Sequence, residues 1–186
     1  YVAGFFRGSG DRRRVPPTFS DAGVAECTAA LAKLESRPKW WMRKVSLLRA
    51  RALHKLAGHD SRGALVDLDA AEAAAVDKTD PYYQRSLKLG IDLVRVLALR
   101  WTGDQAGADA LGARIALARP YSRQAVAAAV TAMGHAAEYP ALNAALRSLA
   151  QLSPSSTGMV FSVTFERGRF AEALELYPAL SPPVKL

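Results

Sequence analysis

The sequence is short of most residues that carry chemistry. It has one cysteine, Cys27, which excludes an internal disulfide and a thiolate metal cage and leaves the redox compartment open. Its three histidines fit no metal spacing: His54 and His59 stand five apart, and His135 is isolated between Gly134 and Ala136. No apolar run approaches the ~20 residues that cross a bilayer. The opening Tyr1-Val2-Ala3-Gly4-Phe5-Phe6 is too short for a signal-peptide core. Runs of Val, Ile and Thr suited to strands are missing, and aromatics make up only 8%. Acids are outnumbered, 17 against 25 basic residues, for a net charge of +8, which biases the surface toward acidic partners, nucleic acid or anionic lipid.

What is present is alanine, leucine and punctuation. Half of the 186 residues are apolar, and the two commonest apolar types lose least on entering a helix, so an all-α domain is expected. Residues 1–20, with Arg12-Arg13-Arg14 and Pro16-Pro17, read as an extended N-terminal arm; residues 21–180 read as one helical domain and 181–186 as a tail. A start at Tyr1 rather than Met is expected of a trimmed or processed chain.

Asp21 is placed to cap a first helix with Val24, Cys27, Ala30, Leu31 and Leu34 at helical spacing. Pro38 opens a second that runs to Gly58, and a partner follows the turn Gly58-His59-Asp60. Asp80-Pro81 starts a long helix stopped at Thr102-Gly103-Asp104 and answered by a second partner. Ser122, Pro140 and Pro154 introduce the remainder, giving about nine helices joined by short turns, which make neighbours antiparallel. The turn glycines Gly58, Gly103 and Gly168 are 45 and 65 residues apart, and the longer step holds one further hairpin. Mean hairpin length is then in the range of helical repeats, roughly 34 to 47 residues.

Gly168-Arg169-Phe170-Ala171-Glu172-Ala173-Leu174 with Tyr177 resembles the second half of a tetratricopeptide repeat, with glycine, an aromatic, a small alanine and a bulky residue at the family's offsets. Gly103-Asp104 with Ala108 and Leu111 is a weaker copy; Gly58-His59-Asp60 with Ala64-Leu65 and Leu68 is another, aligned through one inserted residue. The resemblance implies a right-handed α-solenoid of about four antiparallel hairpins whose first helices line a groove, and a non-catalytic role holding a protein segment.

Catalytic patterns dissolve on inspection. His59-Asp60-Ser61 holds triad residue types, but consecutive side chains point apart. Ser36-Arg37-Pro38-Lys39 has its spacing broken by the proline, and Gly8-Ser9-Gly10 lacks the ending of a phosphate loop. Asp67 and Asp69 fall on different helix faces, and Cys27 reads as a small buried thiol. No catalytic residue, cofactor or metal is expected.

The helix from Pro38 carries the informative pattern. At 100° per residue Lys44, Arg51 and Lys55 share a narrow arc with Trp40, beside an apolar face of Val45, Leu48, Ala52, Leu53 and Leu56. This ridge is expected to receive an acidic segment, Arg51 through forked hydrogen bonds, with Arg85 and Lys88 contributing from the next first helix, where Asp92 offsets part of their charge. The plainer reading of such a ridge is a solvated face. Two alternatives remain open: an electrostatic nucleic-acid or anion binder, and a repeat domain of a larger protein whose active part lies elsewhere. Alanine and arginine richness suggests a bacterial chain, cytoplasmic or periplasmic, and exposed edge hairpins would favour self-association.

Overall fold

A computed structural model describes residues 20–119, 122, 125, 126, 129, 130, 133 and 140–180. The expected arm, its arginine run, Gly8-Ser9-Gly10, His135, most of the segment after Ser122 and the tail lie outside the described residues. Among those described there are eight α-helices and no strand. They are α1 (Asp21–Ala32), α2 (Trp41–Ala57), α3 (Ser61–Ala73), α4 (Lys88–Thr102), α5 (Gln105–Ala118), α6 (Pro140–Leu152), α7 (Thr157–Glu166) and α8 (Phe170–Leu176). None is long and apolar enough to cross a membrane. The fold divides into two units, one ending at Val94 and the other beginning at Arg95, with the boundary inside α4.

Helix starts follow the punctuation, with local differences. Ser20, not Asp21, occupies the cap position of α1, and its side chain caps nothing. Pro38 opens a single 3-10 turn, Pro38–Trp40, before α2 begins. Asp80 does cap its helix, accepting from the Tyr83 amide at 2.9 Å. From Tyr83 to Leu87 the helix widens into a π-turn, closed by the Lys88 amide on the Tyr83 carbonyl. Tyr83 and Leu87, at its two ends, are both buried.

In the first unit α2 contributes Val45, Leu48, Ala52 and Leu56 to the core, at helical spacing, and α3 answers with Ala64, Leu68 and Ala71. Leu53, expected among them, is only half-buried. The start of the next helix closes on α2, where the Trp41 and Tyr83 rings meet at 5.9 Å. It also closes on α3, through the ion pair of Lys88 with Glu72 at 2.9 Å. On the other side of α2 the His54 ring lies so near Gly23 of α1 that a β-carbon there would stand 2.3 Å from Nδ1. In the second unit the core is drawn from Ala108, Leu111 and Ile115 of α5, Leu142, Leu146 and Leu149 of α6, Val160 of α7 and Ala173 of α8.

Three corners share one construction. The amides of Asp60, Asp104 and Arg169 reach back five residues to the carbonyls of Lys55, Leu99 and Thr164, at 2.8, 3.0 and 3.2 Å. The residue before each is left-handed: His59 at φ 65°, Gly103 at φ 91° and Gly168 at φ 72°. This is the glycine-type helix stop, and the residue that closes one helix also opens the next. Gly58 differs from its expected role: its φ is −88°, and the left-handed position falls on His59. Four residues past each new start stands an alanine, Ala64, Ala108 or Ala173, no more than 1% exposed, where only a methyl group lets the two helices close up.

Candidate functional site

The basic ridge of α2 is half internal. Asp67 of α3 is 2% exposed and takes both forks of Arg51, with Nε donating to Oδ2 at 2.9 Å and Nη2 to Oδ1 at 2.7 Å. Arg51 Nη1 also donates to Thr28 Oγ1 of α1 at 3.1 Å, so one guanidinium joins three helices. Lys55 Nζ pairs with the same carboxylate at 3.0 Å and donates to the Gly63 carbonyl at 3.2 Å. Two cations on one buried carboxylate offset the cost of taking it out of water, and each polar atom finds a partner. The hydrogen bond to Asp67 raises the Arg51 guanidinium further above its already high value, against the effect of burial. The forked bonds expected to meet a ligand carboxylate are therefore closed on the protein's own. Asp69 points outward, as the two-face spacing implies.

Lys88 is occupied as well, by Glu72 of α3 and by Asp92 one turn along its own helix. Burial pulls its ammonium down, but the hydrogen bonds to Asp92 and Glu72 outweigh that and hold it above the ordinary lysine value. Arg85, on the π-turn, is exposed.

Trp40 and Lys44 are open. Trp40 is 39% exposed, and the guanidinium carbons of Arg37 and Arg43 lie 5.6 and 5.3 Å from its ring centroid. The indole's negative π-system attracts both cations at the surface. Lys39 and Lys44 are exposed beside it. From Arg37 to Gly58 there are seven cations and no acid. Asp67 engages two of them; among the described residues no carboxylate pairs with Arg37, Lys39, Arg43, Lys44 or Arg49.

Sequence reasoning missed Arg37, Arg43 and Arg49, although the absence of any acid from Arg37 to Gly58 marked the segment as a whole. The other places where polar groups gather are less open. The depression lined by Asn143, Arg147, Thr164, Glu172 and Glu175 carries both signs, and Arg169 already engages Glu172. Cys27 is buried, and burial pushes its thiol above the ordinary value, away from the reactive thiolate. Among the described residues no three His, Cys, Asp or Glu side chains stand together as a metal site. Comparison with protein-family models, curated proteins and solved structures found no match for the chain.

Proposed function

We propose that the chain is a non-catalytic scaffold of tetratricopeptide-like helical hairpins, about four in a right-handed array, that binds an acidic protein segment along the open side of α2. The repeated corners support the array, as does the way the start of α4 meets both members of the preceding hairpin, the neighbour relation of successive layers. The observation that carries the binding reading is the set of five cations in and just before α2 with no paired carboxylate among the described residues, two of them held against an exposed indole.

An acidic segment supplies the missing charge, and apolar side chains next to its carboxylates can lie on Trp40. In this reading Trp40 and Lys44 meet the partner together with Arg37 and Arg43. Arg51, Lys55 and Lys88 act one step behind, fixing α2 and α4 on α3.

The test is fluorescence anisotropy with a labelled dodecapeptide alternating Glu and Leu, against its Gln/Leu counterpart. The acidic peptide is expected to bind and the neutral one to bind far more weakly. The double variant R43E/K44E should weaken binding at least about tenfold, while melting stays as in the parent because both side chains are at the surface. Duplex DNA binding more tightly than the peptide, with affinity collapsing as salt rises, would replace this reading with the nucleic-acid one.

A further inference from the structure

Arg49 stands apart from every other cation of α2. It lies two residues before Arg51, about 160° around the helix, and so turns away from Asp67. Its Nε is buried and donates to nothing, and no described carboxylate pairs with the group. Room for it is made by Gly90 of α4: a β-carbon at that position would fall 2.1 Å from Arg49 Nη1 and 3.1 Å from Cδ and Cζ. Glycine inside a helix is less favourable than alanine, and here the space it leaves is taken by a guanidinium.

We propose that Arg49, seated against Gly90 in the seam between α2 and α4, is the seat for a glutamate or aspartate carboxylate of the acidic segment. This rests on the reading of α2 as an acid-binding face.

A guanidinium cannot shed its proton, and one half-buried with no carboxylate beside it among the described residues is ready to take a counter-charge. Its fork matches a carboxylate through two parallel bonds. The surroundings favour a peptide over a nucleic-acid backbone. Met42, Ser46 and Leu53 share the arc of Arg49 and are half-exposed, and Ser46 Oγ is already spent on the Met42 carbonyl at 3.0 Å. The seat therefore offers one cation flanked by apolar surface, whereas a run of phosphates needs several cations in a row. Arg43 marks the other edge of the same open face, six residues and about 9 Å along the axis, a span that two acidic residues of one segment can bridge.

Two variants separate the seat from general charge. R49Q removes the cation. G90A leaves it in place but fills its slot, and since the displaced atoms are the end of a flexible side chain, the variant should melt no lower than the parent. With the Glu/Leu dodecapeptide, R49Q is expected to weaken binding about tenfold and G90A about three- to tenfold. Parent-like affinity in both variants, with loss confined to R43E/K44E, overturns the seat and leaves the scaffold reading standing. If the parent protein binds no acidic peptide, both fall together. Loss of duplex-DNA affinity in R49Q with peptide affinity untouched also overturns the seat as proposed.

Discussion

The first hairpin, α2 with α3, and the last, α7 with α8, turn the same corner and are closed by opposite means. In the first, the seventh residue after the new helix start is Asp67, sunk into the interface and held by two cations from the facing helix. In the last, the same place is Leu176, Val160 and Ala173 are buried, and aromatic rings cross from α7 to α8 and the turn after it nearer the surface: Phe161 lies 6.2 Å from Tyr177, and Phe165 lies 5.2 Å from Phe170. The first hairpin thus has its charge inside and an indole outside. The last keeps its ion pair, Arg169 with Glu172, near the surface and leaves Phe170 56% exposed. The corner geometry is common to both because it is set by the backbone, and the filling between helices is free to differ so long as it is complete.

The sharpest way to break this comparison is at Asp67. Asp67→Ala leaves Arg51 and Lys55 facing each other without an acid and should cost about 3–5 kcal/mol. The triple change R51M/K55M/D67L, which gives the first hairpin the apolar filling of the last, should recover most of that, as urea unfolding would measure. If D67A is mild, the triad is not what closes the hairpin.

A middle-sized effect lies in the corners themselves. Gly168→Ala places a β-carbon at a left-handed residue and should cost about 1–2 kcal/mol. Gly58→Ala, at an ordinary φ, should change stability by less than about 0.5 kcal/mol. Equal losses at the two glycines would mean that the first corner turns on Gly58 after all.

The smallest effect is in the pH dependence. The hydrogen bond from Arg169 holds the Glu172 carboxyl below its ordinary 4.5, with Arg147 adding to it. Its contribution is present above that value and lost as pH falls through the lower folded one. Lys88 is held above 10.5, so its contribution is present below that value and lost as pH rises through the higher folded one. Melting curves should show E172Q flattening only the acid limb and K88M only the alkaline limb. The acid effect should shrink in salt because Glu172 is near the surface.

The helices were legible because nothing in the sequence competes with them. Alanine and leucine fill the faces, and Pro38, Pro81, Gly103, Pro140, Pro154 and Gly168 mark the ends. The first corner was misread by one residue because glycine is the default left-handed residue, and a histidine in that role is paid for by its surroundings, including the His59 amide on Leu56 at 2.9 Å. The buried acid was missed because carboxylates are ordinarily outside. Its signal was positional: Asp67 stands where Leu111 and Leu176 stand in the other corners, opposite a helix with no acid of its own. Arg49 was hidden by attention to its neighbours on the ridge, although a glycine in the middle of α4, at Gly90, hinted that something needed room.

Asp60 and Asp104 each belong to two helices at once, the amide finishing one and the carboxylate starting the other on Gly63 or Gly107, at 2.8 and 2.9 Å. Such a residue is a splice rather than a hinge: fraying on either side undoes the other, so the paired helices melt together. A cut or a graft in the chain belongs in residues 76–79, between the last bonds of α3 and the cap at Asp80.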